Sequence, residues 1–267
     1  MKNKLRYILP AAFLVITAAA CKKVISVDLN NAASQMVIEG EVTNLPGPYQ
    51  VRISRTVNFS ASNTYPPVTG AIVKITDSTT GRTFQLNEVD SGRYVTSAFN
   101  GVPKHIYNLV VTTGGQQYKA TSTMPGTVAL DSVTFAQNTD FNNKKDINAV
   151  VNFRDPVGLG NYYQFTEMVN GRLVPNIFVF EDRLSDGKYI QQPLFNDSSY
   201  LQKGDTLLVN MYCIDKGVYN YFFTLINVTG NNNFQTATPA NPNGNFSNGA
   251  LGYFSAHTVN RLQLRVY

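Results

Sequence analysis

Apolar residues recur along this chain in two registers, and the commoner one is the alternation of half-buried β-strands. Residues 49–55 (YQVRISR) set Tyr49, Val51 and Ile53 against Gln50, Arg52 and Ser54. Similar short runs fall at residues 37–42, 71–75, 83–86, 93–95, 107–111 and 117–123. Turn chemistry separates them: a Pro-rich break at 64–67, Ser78-Thr79-Thr80-Gly81, Asp90-Ser91-Gly92, and Gly114-Gly115, a strong two-residue hairpin signal. Seven strands so spaced predict a β-sandwich over residues 35–126.

Residues 127–267 are less regular. Runs at 128–136 and 147–153 flank the polar turn Asn142-Asn143-Lys144-Lys145, and runs at 162–169 and 173–180 flank Asn170-Gly171. A further apolar strand is expected at 207–214, and two closing strands at 251–256 and 259–266. The helical register appears once: Tyr219, Phe222, Phe223 and Ile226 fall at i, i+3, i+4 and i+7 and predict a helix over 216–228 with those four on its buried face. Residues 229–249 are rich in Asn, Gly and Pro and read as a long loop. The expected fold is therefore mostly β, a sandwich followed by a second β-rich region with one short helix.

The first twenty residues follow another pattern. Lys2, Lys4 and Arg6 precede an uncharged stretch from Tyr7 to Ala20, too short in its apolar part for the ~20 residues that span a bilayer. Small residues Ala18-Ala19-Ala20 then lead to Cys21. This resembles a bacterial lipobox, so residues 1–20 are expected to be a lipoprotein signal peptide. Cys21 is expected to carry diacylglycerol and an N-acyl chain, and several chains on one residue anchor stably. Residues 21–34 read as a tether.

Charge changes once that presequence is set aside. Three of the 22 basic residues and none of the 17 acidic ones lie in it, so the formal charge falls from +5 to +2. No dense Lys/Arg stripe remains, which argues against a nucleic-acid partner. With Cys21 acylated, Cys213 has no partner in the chain, and its apolar surroundings mark it as a buried, inert thiol.

Candidate chemistry is sparse. His105 and His257 are the two histidines and show no zinc-ligand spacing; each reads as structural. Nucleophile-elbow, Walker and dinucleotide glycine patterns are absent, so no catalytic residue is assigned and no enzyme is expected. Glu181, Asp182 and Asp186 form the one acidic group that offers hard oxygens to Ca²⁺, but the spacing is not an EF-hand and a solvated turn is the favoured reading. Asp155 and Glu167 are set aside as a glycosidase pair because nothing in the sequence fixes their separation. Aromatic rings beside Gly and Asn suggest a binding surface: Tyr162, Tyr163, Phe246 and Tyr253 are the candidates, against the alternative that they fill the core.

Several segments recur together in one order: the start Cys21-Lys22-Lys23-Val24-Ile25, the VIEG strand, the ISRT stretch, AIVKITD with DSGRY, FRDPVGLGNYYQF, EDRLSDGK and NFSNGALGYFSA. Together they resemble a Bacteroidota lipoprotein family, domain of unknown function 4249, over essentially the whole chain. The resemblance implies an N-terminal Ig-like or transthyretin-like sandwich, similar to the regulatory domain of carboxypeptidases. It also implies an outer-membrane context beside TonB-dependent receptors, and supplies no catalytic residues. Surface-exported lipoproteins of these bacteria carry acids just after the lipid cysteine, whereas Lys22 and Lys23 stand here. Both the cell-surface and the periplasmic face stay open.

The functional expectation is a non-enzymatic, lipid-anchored outer-membrane lipoprotein. It would bind an oligosaccharide or peptide ligand, or serve a TonB-dependent uptake receptor as an accessory subunit. A structural or adhesion lipoprotein of the envelope is the alternative.

Overall fold

The computed structural model describes residues 33–58, 64–139, 145–196, 200–229 and 241–267. The expected signal peptide, Cys21, nearly all of the expected tether and most of the 229–249 stretch lie outside them.

Seven strands build the first sandwich: β1 (Met36–Thr43), β2 (Gln50–Arg55), β3 (Ile72–Asp77), β4 (Arg82–Asp90), β5 (Arg93–Val95), β6 (Ile106–Thr113) and β7 (Gln116–Thr123). Their alternation is the one the sequence predicts; along β1 the even-numbered positions 36, 38, 40 and 42 are buried. β4 turns the corner between the layers. Its first half pairs with β3 and its end pairs with β5, with a register shift between Glu88 and Asp90. The β6–β7 hairpin turns at Gly114-Gly115, both at positive φ (55° and 72°), where a side chain would be strained. Ile38, Val51, Ile75, Leu109 and Phe254 lie in the core between the layers.

The second sandwich uses β8 (Ser132–Thr139), β9 (Lys145–Arg154), β10 (Tyr162–Val169), β11 (Arg172–Leu173), β12 (Phe178–Glu181), β13 (Tyr189–Leu194), β14 (Thr206–Ile214) and β15 (Leu251–Arg265). A small sheet, β13-β9-β8, packs on the inner face of β10, β14 and β15 through Val151, Phe153, Phe165, Val209 and Met211. Cys213 is free and buried in this core.

Three expectations about the strands change. The two closing strands are one, β15, and its two halves serve different sandwiches. Leu251 to His257 pair in parallel with β1, and Thr258 to Arg265 pair antiparallel with β14. One large sheet therefore runs β11-β10-β14-β15-β1-β2-β5-β4-β3-β6-β7. The junction needs Gly252: a Cβ there would stand 2.1 Å from the Ile38 carbonyl oxygen, at a φ of +93°. The strand expected over 173–180 is broken into β11 and β12. β13 was not expected at all, because Pro193 and its glutamines hide the strand signal.

The helix, α1 (Lys216–Thr229), forms where the periodicity places it. Asp215 caps it, accepting the Val218 N–H at 2.9 Å, and its second carboxylate oxygen accepts from Ser122 and Thr123 of β7. The buried face differs from the expected one. Val218 and Phe222 point inward, against Tyr162, Tyr212, Ile214 and Tyr253, while Phe223 is half exposed. Among the described residues no helix is long and apolar enough to cross a membrane.

Candidate functional site

α1 and the β11–β12 segment lie on the outer face of the large sheet and leave a cleft of about 450 Å³ between them. Strand alternation sends Gln164 and Thr166 of β10, Asn210 and Tyr212 of β14, and Ser255 and His257 of β15 to its floor. The wall is apolar: Met168, Leu173, Ile177, Leu208 and Phe222. Few convergent polar groups inside an apolar rim is the ordinary composition of a ligand pocket.

The floor is ordered by its own hydrogen bonds. Asn210 Nδ2 donates to Thr166 Oγ1 at 3.2 Å, and that hydroxyl meets Tyr212 Oη at 3.2 Å. Ser255 Oγ lies 2.9 Å from His257 Nδ1, and the Tyr212 ring stands edge-on to the imidazole at 5.1 Å. Burial pushes His257 down to about 4, so its imidazole is neutral at pH 7. Glu41 also lines the cleft, and burial raises its carboxyl against the opposing pull of Arg261. Burial likewise raises the phenols of Tyr212 and Tyr253.

The cleft lining includes a serine, a histidine and a carboxylate, and the first two meet. The charge acting on Glu41 is that of Arg261, and burial of the imidazole is countered by the Ser255 backbone and not by a carboxylate. Ser255 lines the cleft but is only 2% exposed. His105 lies in the other sandwich, where Nδ1 meets Asp77 Oδ2 at 2.8 Å.

The four aromatic candidates part company. Tyr253 lines the cleft and packs on Tyr221 and Phe222 with ring centroids 4.9 Å apart. Tyr162 is half-buried beneath the helix, 4.9 Å from the Tyr219 ring. Phe246 packs against the first core and bridges to Ala120. Tyr163 is no surface ring: one residue along β10 from Tyr162, it faces the second core, is 1% exposed and donates its hydroxyl to Asp155. The binding expectation for Tyr163 is thus corrected by strand parity.

The acidic group is corrected as well. Glu181 leaves it, pairing with Arg183 at 3.1 Å. Asp155 joins instead, and Asp155, Asp182 and Asp186 bring ligand oxygens within 4.8 Å of one another. Such spacing is compatible with Ca²⁺, but the oxygens already accept hydrogen bonds. Asp182 takes N–H groups of Gly160 and Asn161 and the Asn161 amide at 3.0–3.1 Å. Asp186 takes Gly158 N–H at 2.7 Å, and Asp155 takes Gly187 N–H at 3.0 Å besides the Tyr163 hydroxyl. The three acids clamp two loops. Asp155 and Glu167 have separate partners, Glu167 accepting from Asn196.

Sequence reasoning missed Gln164, Thr166, Asn210, Tyr212 and Ser255. Their one signal is a polar residue at every second position of otherwise apolar strands, which reads equally well as solvent surface.

A search of solved structures finds the chicken interferon gamma receptor alpha chain at 9% identity and a TM-score of 0.21, over 67% of this chain and 88% of that one. No curated protein matches the chain. A family model for a domain of unknown function (DUF4249) matches residues 22–263, and the protein belongs to that family.

Proposed function

We propose that this protein is a lipid-anchored binding lipoprotein of the outer membrane, non-enzymatic, that holds its ligand in the cleft between α1 and the large sheet and serves a TonB-dependent receptor. The observation carrying this reading is the polar floor of Gln164, Asn210, Ser255 and His257 beneath an apolar rim. Support for the anchor is the small-residue run ending at Cys21. Acylation there would confine the cleft to the membrane surface, within reach of a barrel receptor.

The test is labelling of cells with tritiated palmitate, comparing the natural chain with Cys21→Ala, followed by gentle extraction of membranes. A labelled, membrane-bound natural chain that co-elutes with an outer-membrane receptor is expected. An unlabelled chain, or a labelled one that elutes alone while uptake persists in a deletion strain, overturns the reading. Loss of attachment with uptake intact would instead favour an adhesion role. A hydrolytic reading has one observation in its favour, the Ser255–His257 contact, and a fluorophosphonate probe that labels Ser255 would establish it.

A further inference from the structure

We infer that the cleft is one end of a trough that crosses the large sheet and takes a linear, neutral oligosaccharide; this rests on the binding reading above. A second depression of about 230 Å³ shares Glu41 and Tyr253 with the cleft. A third, of about 590 Å³, shares Glu39 and Arg52 with the second. The register shows why the three are continuous. Tyr253 of β15 pairs with Glu39 of β1, Glu39 with Arg52 of β2, Arg52 with Arg93 of β5, and Arg93 with Asp90 of β4. Cross-strand partners point to the same face, so these five side chains form one row. From β10 to β5 the trough crosses six neighbouring strands, roughly 24 Å at the usual strand spacing.

The chemistry of the row favours a sugar chain over a peptide. Every strand of that floor is paired on both sides, so its backbone donors and acceptors are already used. A peptide laid across it would find few partners for its own amides, whereas β-strand addition requires a free edge. A sugar hydroxyl both donates and accepts, and the lining answers with Glu carboxylates that accept, Arg guanidiniums that donate, and Gln and Asn amides that do both. Tyr253, Tyr212 and Phe222 offer apolar ring surface for the C–H face of a pyranose. The lining charges balance: Glu39, Glu41 and Asp90 against Arg52, Arg93 and Arg261. Among the described residues none of the six is held in an ion pair. Neither a polyanion nor a polycation is selected.

The test is isothermal titration of the full acylated protein in detergent with cellohexaose, laminarihexaose, xylohexaose and maltohexaose, and with the matching disaccharides. One hexasaccharide is expected to bind at least about tenfold tighter than its disaccharide, a gap of about 1.4 kcal/mol. Arg52→Ala should remove that gain, Arg52→Lys restore part of it, and Tyr253→Ala weaken both lengths; Lys74→Ala on β3 should change nothing. Equal affinity for the two lengths with Arg52→Ala silent overturns the trough. Retention of a random hexapeptide library through Tyr253, with no sugar bound, overturns the sugar while leaving the binding reading intact. If neither sugar nor peptide binds, both fall.

Discussion

The acid clamp and the cleft are made of the same kinds of atoms and differ in what those atoms touch. In the clamp, Asp155, Asp182 and Asp186 accept from Tyr163 and from N–H groups of Gly158, Gly160, Asn161 and Gly187. Those bonds fix two loops that expose Val157, Leu159 and Leu184. In the cleft, Glu41, Gln164 and Arg261 line open volume. The clamp acids bind the loops around them, whereas these three side chains face a cavity and are available to a ligand. By that contrast the acids hold loops together and the cleft is the candidate site.

The widest separation between them should appear on truncation. Asp182→Ala removes the acceptor shared by three donors, and its cost is expected at roughly 2 kcal/mol in urea unfolding. Asp182→Asn should recover part of it. Sugar binding by the surviving folded protein should be unchanged, since the clamp does not line the trough. A loss below about 1 kcal/mol would mean the loops need no clamp.

Glu167 stands between the two cases, for one oxygen accepts from Asn196 and Oε1 is buried without a partner. Burial raises its carboxyl from 4.5 to about 7. The folded chain thus holds a proton that the unfolded chain has released between those values, and stability falls as pH rises through this window. His257 acts in the opposite sense. Its folded value, lowered from 6.5 to about 4, makes stability fall as pH drops from 6.5 toward 4. The two contributions oppose each other over the shared interval. Glu167→Gln should therefore stabilise the protein at pH 8, by up to about 3 kcal/mol, and unmask a steady loss on acidification. Thermal melting across pH 4–8 reads both; an unchanged profile would show that Glu167 stays ionised in the fold.

Calcium bears on the same contrast with a smaller expected effect. Because the clamp oxygens are already accepting N–H and O–H bonds, neither added Ca²⁺ nor a chelator should move the melting midpoint. An upward shift with Ca²⁺, abolished by Asp186→Asn, would turn the clamp into an ion site.

The fold was largely legible because period-two alternation is a local property. β1 to β7, β10 and α1 stand where turn residues and apolar spacing put them. β15 was divided in two because Ala256-His257-Thr258 interrupts its apolar pattern, and those residues are buried only where the strand passes from one sandwich to the other. The helix was found but its face was misjudged, since Tyr219, Phe222 and Phe223 are almost equally apolar and only packing on Tyr253 and Ile214 chooses among them. The site was less legible. Tyr253 was found as a ring beside glycine, but Gln164, Asn210 and Ser255 occupy outward strand positions that look solvated. It takes α1 and the β11–β12 segment, laid over the sheet from elsewhere in the chain, to bury them.

That burial gives the least costly and most discriminating prediction. Ser255 Oγ has one partner in the cleft, His257 Nδ1, and a hydroxyl of this kind contributes about 1 kcal/mol or less to stability. Ser255→Ala should shift the urea midpoint by no more than that, less than Asp182→Ala. The imidazole that loses the hydroxyl is free to turn toward a ligand, so the effect should be concentrated in binding: affinity for the hexasaccharide changes while the melting curve barely does. If Ser255→Ala costs as much stability as a clamp residue and leaves binding untouched, the Ser255–His257 pair is architecture too, and the distinction between the two regions fails at its own centre.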